Sequence, residues 1–337
     1  MAVESLQEIR SKQVEEYLRL YEGMPSNTIA RMLRNHFPLL FKSIEQARSV
    51  VRYKRGNSGE ADRKKLKNKE FMRENQKSGY TVPLPQSDYE EWIPYKVEAK
   101  GTIAIIADLH IPYHHEGTLK LCLDHLDVVK PDMLIINGDL IDCYMSSKFC
   151  KDPTKRDLQG EVDLVIQFLV HLKQRYNNSR ILYKFGNHEN RHKRFVFNNA
   201  PILWGVDKIT LESLLELDDI GIDYVDNDRP IVIADFTILH GHELQGSGYS
   251  IISPARSAFL KTYSNCIIAH HHRTSEYSDN VLNGYQVTVY SIGCLCGLHM
   301  EYARINKWNN GFIIMHIAGG KMLVSNMKVE KGRITKS

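Results

Sequence analysis

The stretch Gly101-Thr102-Ile103-Ala104-Ile105-Ile106-Ala107-Asp108-Leu109-His110 runs from an unbroken apolar segment straight into a carboxylate and an imidazole. Residues 102–107 are apolar or β-branched throughout, which predicts a strand covered on both faces in a layered α/β domain. Asp108 and His110, two residues apart, can both turn toward one point beyond the carboxyl end of that strand. Open α/β sheets place their ligands there.

The same junction recurs four times downstream. Residues 133–137 run into Gly138-Asp139-Leu140-Ile141-Asp142, and residues 181–185 into Gly186-Asn187-His188-Glu189. Residues 236–239 run into His240-Gly241-His242, and residues 266–269 into His270-His271-His272. A single Asp or His after a strand is ordinarily a turn residue or a cap. Five such junctions in series predict convergence on one site.

In this order the motifs resemble the calcineurin-like metallophosphoesterase superfamily, whose pattern is Asp-x-His, Gly-Asp-x-x-Asp, Gly-Asn-His-Asp/Glu, a solitary His and Gly-His-x-His. The match is carried by Asp108/His110, Asp139/Asp142, Asn187/His188/Glu189, His240 and His270/His272, across roughly residues 100–316. Ala269 is the one departure, standing where the family has Gly. The stretches Gly-Asn-His-Glu-Asn-Arg and Asp-Leu-His-Ile-Pro-Tyr-His are similar to phage and prophage members grouped with DNA-repair exonucleases.

The resemblance implies a four-layer α-β-β-α sandwich of two packed mixed sheets. It further implies that Asp108, His110 and His272 hold a first metal, that Asn187, His240 and His270 hold a second, and that Asp139 bridges them. His188 becomes the catalytic residue facing the phosphate, as acid or hydrogen-bond donor, and Asp142 orients a ligand histidine. Arg191 is a candidate phosphate contact. Phosphoester hydrolysis needs a nucleophile at neutral pH and a clamp for the charge that builds on the phosphoryl oxygens, and two dications about 3.5–4 Å apart supply both. Mixed oxygen and imidazole ligands suit manganese first, with iron, zinc and cobalt as alternatives. The expected function is a phosphodiesterase or nuclease acting on DNA by two-metal activation of a bridging hydroxide. The alternatives are a phosphomonoesterase or nucleotide phosphodiesterase on a small substrate, or a DNA-binding and assembly protein with minor hydrolytic activity.

The rest of the chain adds a possible route to DNA. Among 337 residues, 44 Lys and Arg stand against 40 Asp and Glu, so total charge says little about partners. Residues 6–21 are amphipathic, 22–26 read as a stop, a turn and an N-cap at Ser26, and a short helix over 27–36 follows. Ser43 and Gln46 have capping-box spacing before a third helix that carries Arg48 and Arg52, with Lys54 and Arg55 at its end. Three short helices with a basic last one resemble a helix-turn-helix module over residues 1–56. A plain docking bundle whose cations complement the helix dipole is the alternative. Residues 57–99 read as a basic polar linker, and 100–337 as the catalytic domain.

His242 and His271 interrupt ligand pairs and are expected to be spectators, while His114 and His115 sit where they could line the entrance. The six cysteines, Cys122, Cys143, Cys150, Cys266, Cys294 and Cys296, lack a disulfide framework and read as buried free thiols. No apolar run approaches the ~20 residues that span a bilayer, and the amino terminus lacks a signal pattern. A cytoplasmic protein is expected, in a bacterial host if phage-encoded, with a phosphoester as partner, no membrane and room for self-association.

Overall fold

A computed structural model describes residues 5–72, 85–148, 152, 154, 157–226, 228–244, 252–282, 284–319 and 321–336. Cys150 and residues 73–84 of the expected linker lie outside the described residues. The chain divides into two compact units, Met1–Glu90 and Glu91–Ser337. No helix among the described residues is long and apolar enough to cross a membrane.

The first unit holds α1 (Leu6–Leu20), α2 (Ser26–His36), α3 (Ile44–Lys54) and α4 (Glu60–Lys65). Apolar residues at helical spacing, Val14 and Leu18, Ile29 and Leu33, Ala47 and Val51, close on Phe41 as a core of their own. Pro25, not Ser26, occupies the N-cap of α2. Ser26 instead accepts a hydrogen bond from Arg55 at 3.0 Å. Ser43 caps α3 as expected, accepting from the Gln46 amide, but Gln46 Oε1 accepts from Lys42 rather than closing the box on Ser43. Residues 57–72, read above as linker, contain α4 and return to this unit: Phe71 joins its core and Glu70 pairs with Arg19 at 3.0 Å.

The second unit is built on two mixed sheets. The seven-stranded sheet comprises β2 (Gly101–Ile106), β3 (Met133–Asn137), β4 (Arg180–Lys184), β5 (Asp223–Val225), β11 (Asn310–Ala318), β12 (Lys321–Glu330) and β13 (Arg333–Lys336), in the order β13-β12-β11-β2-β3-β4-β5. The six-stranded sheet comprises β1 (Tyr95–Val97), β6 (Ile231–Ile233), β7 (Phe236–Ile238), β8 (Cys266–Ile268), β9 (Ser275–Asn280) and β10 (Gln286–Ser291), in the order β1-β6-β7-β8-β10-β9. β2, β3, β4 and β5 are parallel neighbours, as are β7, β8 and β10. In the last third of the chain β11 and β12 are antiparallel, whereas β10 lies parallel to β8 on one side and antiparallel to β9 on the other.

Strand alternation assigns each sheet two apolar faces. Ile103, Ile105 and Ile135 meet Ile231, Ile238 and Ile267 between the sheets. Their neighbours Ala104, Ile106 and Ile136 point outward under α5 (Glu116–Val129) and α6 (Leu158–Arg175). On the far side Cys266, Ile268 and Val289 are covered by α10 (Pro254–Thr262) through Ala255, Ala258 and Phe259. Fully burying an Ile of this kind stabilises by roughly 1.5–3 kcal/mol. Three of the five polar junctions follow strands of the seven-stranded sheet, β2, β3 and β4, and two follow strands of the six-stranded sheet, β7 and β8.

Candidate metal centre

Asp108 and His110 follow β2, Asp139 and Asp142 follow β3, Asn187 and His188 follow β4, His240 follows β7, and His270 and His272 follow β8. To turn back over the strand ends within a residue or two, the backbone adopts positive φ at Asp108 (54°), His110 (50°), Asp139 (52°), His270 (66°) and His272 (54°). For a residue with a Cβ this conformation costs about 1–2 kcal/mol. The neighbouring glycines make close approach possible: a Cβ on Gly186 would stand 2.4 Å from Asp139 Oδ1, and one on Gly138 2.9 Å from the Gly186 Cα. Ala269 stays outside the left-handed region, so its methyl group is accommodated without that strain.

Asp108, Asp139, His110 and His240 each spend one polar atom on the protein and turn the other inward. Asp108 Oδ2 accepts the His270 amide at 3.1 Å, and Asp139 Oδ1 accepts the His188 amide at 2.9 Å. His110 Nδ1 faces Asp142 Oδ1 at 3.1 Å, and His240 Nδ1 donates to the Asn137 carbonyl at 2.7 Å, leaving both Nε2 atoms pointed at the centre. There His110 Nε2 lies 3.2 Å from His272 Nε2, His272 Nε2 lies 3.4 Å from Asp108 Oδ1, and His240 Nε2 lies 3.2 Å from Asp139 Oδ2. Four groups of ligand-type atoms result among the described residues: Asp108/His110/Asp139 and Asp139/His240/His270, which share Asp139, and His110/His272/Cys296 and His110/Asp142/His188, which share His110 with the first.

The donor set fits divalent cations. Asp108 Oδ1, Asn187 Oδ1 and His240 Nε2 are buried with no hydrogen-bond partner, a cost that ordinary folding avoids. Burial alone would lower the affinity of His240 for a proton, yet Asp139 and Asp108 outweigh it and hold the group up at about 10. His272 is raised to about 10 against burial in the same way, by Asp108. Burial would raise Asp139, but His188 and His240 keep it well below the usual carboxylate range. Burial and the neighbouring imidazoles instead push His270 down to about 3 and His110 below its ordinary value, so the carboxylates favour positive charge at His240 and His272 but not at every imidazole of the cluster.

His188 stands beside this cluster, with Nδ1 at 2.9 Å from the Asp142 carbonyl and Nε2 accepting from Arg191 Nη2 at 2.7 Å. Arg191 also donates to the Asp142 carbonyl at 2.9 Å. It belongs to α7 (Glu189–Asn199), which begins directly after His188. Arg191 and His188 thus form one polar unit at the edge of the centre. Asp142 contacts His110 and His188 together, at 3.1 and 3.0 Å, and its carboxylate is held below its ordinary range by those two imidazoles despite burial.

Two supporting groups had no assigned role in the sequence reading. Glu189 is buried and accepts from the amides of Asp139, Leu140 and Gly186, at 3.0, 2.8 and 2.7 Å, and from the Tyr183 hydroxyl at 2.6 Å. Its place immediately after His188 was the available signal. Glu243 accepts the His240 and Gly241 amides at 3.0 and 2.6 Å and pairs with the buried Lys184 at 2.8 Å. Trp308, packed 4.1 Å between ring centroids against His272, had no signal in sequence at all.

The structure also places the residues given lesser roles by the sequence. His115 is the N-cap of α5, accepting the Thr118 amide, and His114 lines a separate small cleft with Ile111, Leu164 and Phe168; neither lies with the ligand cluster. His242 pairs with Asp228 at 2.9 Å and belongs to neither ligand group. Of the four basic residues assigned to nucleic acid, Arg55 is 1% exposed and bonded to Ser26, and Lys54 is paired with Glu15, both satisfied within the helical unit. Arg52 is exposed, and Arg48 is partly exposed beside Glu45. The described cysteines are all buried free thiols.

The sequence model of the calcineurin-like phosphoesterase family matches residues 101–297. The gene 54 protein of Mycobacterium phage L5 is 24% identical over 249 residues, covering 69% of this chain and 95% of that protein. Its counterpart in Mycobacterium phage D29 is 23% identical over 248 residues, with the same coverage of 69% and 95%. Among solved structures, the phosphoesterase YfcE of E. coli is matched over 70% of this chain and 98% of that one, with 10% identity and a TM-score of 0.37. Zinc-complexed Vps29 of Entamoeba histolytica is matched over 70% and 97%, with 13% identity and a TM-score of 0.38.

Proposed function

The chain belongs to the calcineurin-like phosphoesterase family, and from that premise we propose that it is a two-metal phosphodiesterase that cuts DNA. The observation that carries the reading is that Asp139 is shared by the groups Asp108/His110/Asp139 and Asp139/His240/His270, one oxygen anchored to the His188 amide and the other turned inward. Asp108, His110 and His272 would hold one ion, and Asn187, His240 and His270 the other. When bound, such ions lower the pKa of a water and stabilise charge on the phosphoryl oxygens, with manganese the first candidate by ligand type.

The chain's own groups do the rest. Asp142 fixes the His110 tautomer and anchors His188. Arriving phosphate competes for the Arg191 guanidinium, whose planar fork suits two phosphoryl oxygens. His188 Nε2, which carries no proton while it accepts from Arg191, can then take one from solvent and pass it to the leaving oxygen. Support for DNA as the ester comes from the phage relatives and from Arg48 and Arg52 at the surface of α3.

The test is hydrolysis of a chromogenic phosphodiester beside labelled single- and double-stranded DNA, with manganese and after chelation. Both substrate types should turn over only with metal. Asp139→Asn should abolish both activities, and His188→Ala should slow both by about 10²–10⁴-fold. Metal-dependent turnover of the small ester with both DNA forms left intact would keep the centre and overturn the substrate.

A further inference from the structure

Two grooves leave the metal centre and share its wall. One, of about 670 Å³, is lined by Lys261, Arg273, Lys307 and Trp308. The other, of about 610 Å³, is lined by Lys148, Arg191, Arg194 and Phe195. His242 and His270 belong to both linings, so the grooves meet at a ligand of the centre. Otherwise the walls come from different parts of the fold: α10 and residues 305–308 for the first, α7 and residues 146–148 for the second.

Charge is distributed over these walls in a way the chain as a whole does not share. The full sequence is nearly balanced, with 44 basic and 40 acidic residues. Among the described residues neither groove is lined by an Asp or Glu, and each is lined by three Lys or Arg side chains and one large aromatic ring. Phe195 is 43% exposed, and Lys148, Arg194, Lys261 and Lys307 are also exposed. A monoester or a free nucleotide ends at the metals and can fill only one groove. A polyanion that continues past the scissile bond uses both. Cations tracking a backbone, with aromatic faces for bases to stack on, form the sequence-tolerant surface that suits single-stranded nucleic acid.

We propose that the two grooves form one through-running track for a single DNA strand, so that the enzyme cuts internal phosphodiester bonds rather than trimming ends. This rests on the phosphodiesterase reading above. Water adds across one internal P–O bond, leaving a phosphate on one product and a hydroxyl on the other, with no co-reactant beyond the metals.

The experiment offers a covalently closed single-stranded DNA circle, a linear strand and a closed duplex circle with manganese, beside the chromogenic phosphodiester. Wild type is compared with Lys261→Ala/Lys307→Ala and Lys148→Ala/Arg194→Ala. The single-stranded circle should be opened, and each double variant should cut it about tenfold more slowly, with small-ester turnover within about twofold of wild type. Binding of the uncut strand under calcium should also lose salt dependence, the log–log slope falling by about 1.4 for two lost phosphate contacts. An intact circle beside a linear strand digested from its ends overturns the track while leaving the nuclease reading in place. Small-ester turnover with every DNA intact overturns the nuclease reading itself. Equal cutting by wild type and both variants removes the grooves from strand binding, and a duplex circle cut as fast as the single-stranded one removes the preference for a single strand.

Discussion

At Glu189 a single buried carboxylate receives three backbone amides and one phenol, and those amides belong to the loops after β3 and β4. It therefore sets the distance between Asp139 on one loop and Asn187 and His188 on the other. Amide donors of this kind need an acceptor on both oxygens. Glu189→Gln replaces one acceptor with an NH₂ group aimed at an N–H. We expect a loss of about 2–4 kcal/mol in unfolding free energy, from one unmade charge-assisted bond and one donor left facing another. Denaturant unfolding reads the loss, and a metal titration of the folded fraction should show weakened binding although Glu189 belongs to none of the ligand groups. Unchanged metal affinity would mean that the loops hold their spacing without it.

At the scale of elements, Lys184 at the end of β4 and Glu243 in the loop after β7 join the two sheets through one ion pair with little exposure. Glu243 in turn holds the amides of His240 and Gly241. Burial would raise the Glu243 carboxyl, but Lys184, His242 and His240 bring it down to about 2, against an ordinary value of 4.5. A depressed carboxyl contributes stability above its unfolded value and loses it as pH falls through the folded one. The contribution is thus complete above about pH 4.5 and disappears toward about pH 2. Lys184→Met leaves the carboxylate buried without its cation, and should cost about 3–5 kcal/mol near neutral pH. Circular dichroism across that acid window should show the variant losing less of its remaining stability than wild type. A neutral-pH cost below about 1 kcal/mol would indicate that water replaces the lysine.

At the scale of the whole molecule, the two units have separate cores and separate charge patterns. Arg48 and Arg52 reach the surface of α3, while Lys54 and Arg55 are consumed by Glu15 and Ser26. If the helical unit recruits DNA, Arg48→Ala/Arg52→Ala should weaken duplex retention at low salt by about tenfold and leave small-ester turnover unchanged. Retention equal to wild type, measured by fluorescence anisotropy, would return this unit to the docking-bundle reading.

Much was legible in the amino-acid order. Apolar runs of strand length ending in Asp, His or Asn identify both the layers and the ligand types, because alternation and burial are local consequences of side-chain chemistry. The first helix, Leu6–Leu20, follows from the amphipathic spacing of residues 6–21. What only the tertiary structure decided depends on groups far apart in sequence. Gln46 turning to Lys42, Arg55 turning inward to Ser26, and β10 pairing parallel to β8 are choices among locally equivalent partners. The grooves that meet at His270 combine α7, α10 and residues 305–308, and Trp308 reaches His272 across a long span of chain. No local pattern encodes such a meeting: sequence specifies which atoms can bind, while the packing of the two sheets decides which of them share a space.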